Sequence, residues 1–145
     1  PPLPGENAAP PACYCGRHGC IETWLSGPAL QADHHRCNGS GACLTPAEIA
    51  TRADAGDAAC TATLQRYEAR LARALAQVIN ILDPNVIALG GGLSNINRLY
   101  ANVPLLWNAH IFSDHVSTRL LRNRHGDSSG VRGAAWLWET AGKMS

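Results

Sequence analysis

Three thiols crowd one short loop, "ACYCGRHGCIE", residues 12–22, as Cys13, Cys15 and Cys20. Thiolates are soft ligands, and tetrahedral zinc takes four, so this loop offers three of a structural set. A C-x-C pair converges on one ion only if the backbone folds tightly around it. Gly16 and Gly19 permit such a turn, because glycine tolerates positive φ. The spacing leaves the fourth ligand open. His18 lies inside the loop, where its reach to the same ion is awkward, and a ligand from before Pro1 fits the spacing equally well. Glu22 stands two residues past the last thiol, at the entry to a helix. An acid there complements the helix dipole. Alternatively, the metal loop pins this carboxylate so that it accepts hydrogen bonds from a ligand's hydroxyls.

Two other stretches offer polar chemistry. "LGGGLS", Leu89 to Ser94, follows a short apolar run and opens a helical pattern. A glycine turn of that kind serves as a tight structural turn, or lets a phosphate or ribose lie against the backbone. It is neither a P-loop nor G-x-G-x-x-G. "HGDSSG", 125–130, reads as a helix cap built on Asp127, Ser128 or Ser129, or as a ligand-facing loop. His34, His35, His110 and His115 read as surface histidines. Arg132, Trp136 and Trp138 read as helix packing and surface.

The elements that position these residues follow α/β grammar. Residues 1–12 are Pro-rich and read as an extended arm. "IETWLSGPALQADHH" is helical, with a break near Gly27-Pro28, and "CNGSGAC" is a flexible connector. "TPAE" has the form of a capping box, Thr45 capping and Glu48 reaching back. From about Asp57 to Leu82, Leu64, Tyr67, Leu71, Leu75, Val78, Ile79 and Leu82 form one apolar stripe on a long helix. Arg66, Glu68, Arg70 and Arg73 fall off that stripe and are expected in solvent. Asp83-Pro84 ends the helix, "VIAL" suits a buried parallel strand, and "SNINRLYANVPLLW" is helical again. "VSTRLLRN" is a further strand, and "HGDSSGVRGAAWLWET" a polar turn opening into a helix.

Composition sets outer bounds. The chain has 145 residues, a hydrophobic fraction of 46%, a charged fraction of 16% and a formal net charge of +1. Such a charge makes no electrostatic case for nucleic acid or an acidic membrane surface. No apolar run approaches the roughly 20 residues of a bilayer span, and nothing resembles a signal peptide. Cys37, Cys43 and Cys60 are scattered, which favours intracellular metal binding at the loop over a disulfide framework. The opening "PPLPGENAAPPA" lacks an initiator Met and reads as joining a longer protein partway through.

Taken together, these motifs resemble the ROK family of sugar kinases and sugar-responsive repressors. "CYCGRHGCIE" matches its C-x-C-G-x-x-G-C-x-E signature. "DPNVIALGGGLSN" is similar to its nucleotide-contacting strand and turn, and "HGDSSGVRGAAWLW" to its C-terminal helix, most of all in the fructokinase-type branch. The resemblance implies an α/β chain: the C-terminal domain of an actin-like, hexokinase-type (ribonuclease H-like) fold with a zinc-binding loop, the N-terminal domain absent. It implies structural Zn²⁺ on Cys13, Cys15 and Cys20, with the fourth ligand a histidine just before Pro1. It implies Glu22 on sugar hydroxyls (residues 13–22), and Gly90, Gly91 and Gly92 on nucleotide (residues 83–94). The phosphate-binding motif and the base aspartate of the family have no match, so no catalytic residue is expected here and the piece alone should be inactive. The implied parent is a cytoplasmic, homodimeric kinase that binds hexose and ATP with Mg²⁺, contacts neither nucleic acid nor membrane, and converts fructose to fructose 6-phosphate. The alternatives are a ROK repressor missing its DNA-binding part, or a zinc-binding interaction module.

Overall fold

The structure is a computed structural model that describes residues 9–39, 43–124 and 133–134. Its centre is one long helix. Asp57 caps it, its side chain accepting from the Cys60 backbone N–H at 3.0 Å, and the helix runs over Ala58–Leu82. It ends where Asp83 turns left-handed, φ 42°, ahead of Pro84. In chain order the helices are α1 (Glu22–Leu25), α2 (Gly27–Asn38), α3 (Pro46–Asp54), α4 (Ala58–Leu82) and α5 (Arg98–Trp107). The strands are β1 (Val86–Leu89) and β2 (Arg119–Arg122), and 3-10 turns cover Gly92–Asn95 and Asn108–His110.

Local sequence accounts for the helix boundaries. Ser26 breaks α1 from α2 and caps the latter, accepting from the Ala29 N–H at 3.2 Å, with Pro28 in the first turn. The capping box at α3 forms as expected: the Glu48 N–H donates to Thr45 Oγ1 at 3.3 Å, and the Thr45 N–H to Glu48 Oε2 at 2.7 Å. Helix α2 runs through Asn38, so Cys37 is helical rather than part of a connector. Residues 40–42 lie outside the described residues, as do most of the 1–12 arm and of the 125–140 stretch read as a polar turn and helix.

Helix α4 packs against α1, α2, α3 and α5. Leu64 on it and Leu30, Ile49, Leu99 and Val103 around it are fully buried, each burial contributing about 1.5–3 kcal/mol. Ala72, Ala74 and Ala76 are buried as well, small enough for neighbouring helices to approach closely. Being covered on several sides overturns one expectation: Glu68 and Arg70 are each only 2% exposed, and Arg66 and Arg73 are half-buried rather than in solvent. Asp33 on α2 accepts from Arg66 Nε at 2.8 Å and Arg70 Nη1 at 3.0 Å. Glu68 accepts from Arg98 Nε at 2.5 Å and Asn102 Nδ2 at 3.1 Å on α5. Charge pairing across helix contacts makes that burial tolerable. His34 likewise is half-buried and meets Thr63 Oγ1 at 2.9 Å, tying α2 to α4.

The sheet is parallel, as expected, with Val86 opposite Arg119 and Leu89 opposite Arg122. It is not buried on both faces. Among the described residues it has two strands, and Val86 and Leu121 are exposed, as are Val78, Ile81 and Leu82 at the end of α4. Among those same residues, no helix is long and apolar enough to cross a membrane.

Candidate functional site

The cysteine loop is a closed knuckle. Ala12 bridges antiparallel to His18, the Gly19 N–H donates to Pro11 O at 2.8 Å, and the Cys13 N–H to Arg17 O at 2.8 Å. Closing the turn takes positive φ at Gly16 (81°) and Gly19 (70°), the two positions where glycine supplies what L side chains resist. The three Sγ atoms lie within 4.8 Å of one another, and Cys15 Sγ is 3.5 Å from Cys20 Sγ. Sulfurs about 2.3 Å from a tetrahedral zinc stand about 3.8 Å apart, so this donor set fits zinc with little movement. Among the described residues, neither His18 nor Glu22 joins the cluster. The Cys15 and Cys20 thiols are shifted in opposite directions. The Arg17 N–H, then the neighbouring thiols, hold Cys15 below its ordinary pKa. Cys20 is pushed up to about 11, first by its hydrogen bond with Cys15.

The loop leads directly into α1. Thr23 Oγ1 donates to Cys20 O at 2.7 Å and the Thr23 N–H to the same oxygen at 2.9 Å, so the last thiol's residue anchors the first helical turn. Trp24, 2% exposed, lies behind the loop: a Cβ built on Gly19 would stand 3.9 Å from its indole nitrogen. Arg70 stacks over the Trp24 ring at 4.9 Å from the centroid, and Tyr67 Oη donates to Leu25 O at 3.0 Å. Glu22, exposed in α1's first turn, lines a cavity of about 290 Å³ with Pro11, Ala12, Cys13, Tyr14 and Ser26. The cysteine loop is therefore one wall of a cavity that Glu22 also lines.

The glycine turn forms the second place. Strands β1 and β2 end side by side, at the carboxyl edge where parallel α/β sheets bind ligands. Gly90 follows β1, Gly91 turns with φ 78°, and Gly92 opens the 3-10 turn. Two hydroxyls lock it: Ser94 Oγ donates to Gly91 O at 2.6 Å, and Tyr100 Oη to Ser94 O at 2.7 Å. Desolvation raises the Tyr100 pKa, keeping that donor protonated. A cavity of about 250 Å³ opens between α3 and the turn, lined by Ala47, Ala50, Thr51 and Asp54 on one side and Gly92, Asn95 and Asn97 on the other. Of the three glycines, Gly92 lines it. Asn95, Asn97, Thr51 and Asp54 escaped the sequence reading because α3 meets this turn only in three dimensions.

Known proteins resemble this arrangement. An N-acetyl-D-glucosamine kinase of Aliivibrio salmonicida is 37% identical over 92% of this chain and 43% of its own length. A ROK family glucokinase from Streptomyces griseus, solved with glucose and AMPPNP, superposes with a TM-score of 0.77 at 22% identity, over 88% of this chain and 47% of its own. A ROK family transcriptional regulator superposes with a TM-score of 0.72 at 21% identity, over 95% of this chain and 37% of its own. These likenesses show the hexokinase-type, actin-like fold, and this chain spans less than half the length of those relatives. The family model described as "ROK family" matches residues 4–141, nearly end to end, and the chain belongs to the ROK family.

Proposed function

We propose that this chain is the sugar- and nucleotide-facing wall of an ATP-dependent hexose kinase. One observation carries the reading: Glu22 lines a cavity walled by the cysteine loop, at the start of a helix that the loop anchors. Cys13, Cys15 and Cys20 would hold a zinc ion, which would supply positive charge and fix the loop in place. The fourth ligand comes from outside the described residues, by family resemblance a histidine ahead of Pro1. Glu22 accepts hydrogen bonds from hexose hydroxyls, and a carboxylate whose support is rigid keeps the sugar in one register. Gly90, Gly91 and Gly92 border the nucleotide, and the cavity between α3 and the turn takes its nucleoside part. Mg²⁺ accompanies ATP and offsets phosphate charge during transfer. The aspartate base and the phosphate loop belong to segments with no match in this chain. A cytoplasmic homodimer is part of the same reading.

The fructokinase-type resemblance pointed to fructose. The curated relatives sharing 33–38% identity with this chain carry the name N-acetyl-D-glucosamine kinase instead, so that amino sugar becomes the leading substrate. The transcriptional regulator of the same fold supports a second reading, a sugar sensor that binds without turnover.

The test uses the full-length protein that carries this chain. Glu22→Gln and Cys15→Ser variants are assayed for ATP-dependent phosphorylation of N-acetyl-D-glucosamine, glucose and fructose, and for bound zinc. Both variants should lose about tenfold or more in kcat/KM, and zinc should fall only in Cys15→Ser. Full activity in Glu22→Gln would overturn the role given to that carboxylate. A wild-type protein that binds sugar but never phosphorylates it would favour the sensor.

A further inference from the structure

The cavity beside the glycine turn has donor groups whose orientation a second residue decides. Arg122, at the carboxyl end of β2, donates through Nη2 to Asn95 Oδ1, and through Nη1 to Asn97 Oδ1 at 3.4 Å. A guanidinium has no acceptor, so the amide atom facing it must be oxygen. Both amides are therefore held in one orientation, with their NH₂ groups on the side away from Arg122. Asn97 also occupies the N-cap position of α5 and makes no capping bond there. An asparagine at that position ordinarily turns back to the helix N–H groups, and here the side chain is drawn to Arg122 instead. Asn95 and Asn97 both line the cavity between α3 and the turn.

We propose that Asn95 and Asn97 are nucleoside-binding residues, their amide N–H groups donating to ring nitrogens or ribose oxygens, and that Arg122 is the positioning residue that holds them in that orientation. This rests on the nucleotide reading of the glycine turn. The opposite wall decides which part of a nucleotide enters. Asp54 lines the same cavity with Thr51, and a carboxylate repels phosphate while accepting from a hydroxyl or an exocyclic amine. Arg98 also lines the cavity, and its guanidinium is committed to Glu68 at 2.5 and 3.4 Å. The neutral nucleoside fits this balance, and the phosphates lie outside it.

An asparagine-to-aspartate exchange separates this role from a merely structural one. Asn97→Asp and Asn95→Asp each keep the oxygen that Arg122 needs, and turn that hydrogen bond into a stronger ion pair. Each also deletes the N–H donors. The full-length protein that carries this chain is titrated calorimetrically with ADP and with uncharged adenosine, as wild type, Asn97→Asp, Asn95→Asp and Arg122→Met, and the thermal unfolding of each is recorded. Expected are aspartate variants that melt at or above the wild-type temperature yet bind adenosine about tenfold more weakly. Arg122→Met should lose affinity by a smaller factor, equally for both ligands. Either aspartate variant suffices if the other folds poorly. Unchanged adenosine affinity would overturn the proposal. So would a loss confined to ADP, which repulsion between carboxylate and phosphate explains. A wild-type protein that binds neither ligand would remove the nucleotide reading itself, and this assignment with it.

Discussion

Asp33→Asn tests how a buried charge network supports the cysteine loop from behind. Asp33 is 3% exposed and sits among three guanidiniums: Arg36, Arg66 at 2.8 Å and Arg70 at 3.0 Å. They do not contribute equally. Arg36 is 43% exposed, so water screens its pair and its share is within about 0.5 kcal/mol. Arg70 is buried, and its pairing with Asp33 belongs to the class whose disruption costs about 3–5 kcal/mol. Asparagine keeps one acceptor oxygen but removes the charge and turns an NH₂ toward a guanidinium, which places the expected loss near 3 kcal/mol. For a chain of this size that lowers Tm by roughly 10 °C. Arg70 stacks on Trp24, and Trp24 lies behind Gly19, so the tryptophan emission should also shift. Thermal unfolding followed by circular dichroism and fluorescence, with Arg36→Ala as the control, gives both readouts. An Asp33→Asn loss below about 1 kcal/mol would mean that desolvation of the carboxylate cancels its pairing. An Arg36→Ala loss as large as that of Asp33→Asn would refute the ranking by exposure.

Two further outcomes follow from the same geometry. Gly16→Ala and Gly19→Ala both force a side chain into positive φ, at about 1–2 kcal/mol each, but a Cβ at Gly19 also meets Pro10 Cβ at 3.1 Å, while one at Gly16 meets nothing within 4 Å. Competitive titration against a chelator should therefore show a larger loss of zinc affinity for Gly19→Ala, and equal losses would mean that φ alone governs the loop. Glu48 and Asp57 are both held below their ordinary pKa, by the Thr45 and Cys60 backbone N–H groups respectively. Their contribution is present above the ordinary carboxylate range near pH 4 and is lost as pH falls through the lower folded-state values, because the unfolded chain takes up protons first. Tm measured from pH 6 to pH 3 should fall less steeply in Glu48→Gln and Asp57→Asn, and curves parallel to wild type would count against both caps.

What was legible in the sequence is what short-range physics decides. The capping box at Thr45, the break near Gly27-Pro28, and the Asp57–Asp83 limits of α4 all rest on bonds or dihedral restrictions spanning a few residues. The cysteine cluster is legible for the same reason: a short loop with two glycines leaves the thiols little choice but to converge. The direction of β1 could be inferred too, since a helix–strand–turn–helix order implies a parallel neighbour.

The failures share a cause. Periodicity on α4 separates an apolar stripe from a polar face, but says nothing about how many neighbours surround the helix. Helices α2 and α5 supplied Asp33 and Arg98, 37 and 30 positions away from Arg70 and Glu68, and converted expected surface charges into buried pairs. Exposure of β1 was likewise a matter of what lies beside the strand rather than of its composition. The sequence by itself thus determined the convergence of the three cysteines, the caps and the helix limits, because each is settled within a turn or two of chain. Only tertiary structure decided which charges are buried, that the loop walls a cavity Glu22 lines, and that Arg122 meets Asn95 and Asn97, because those depend on contacts whose partners no local pattern specifies.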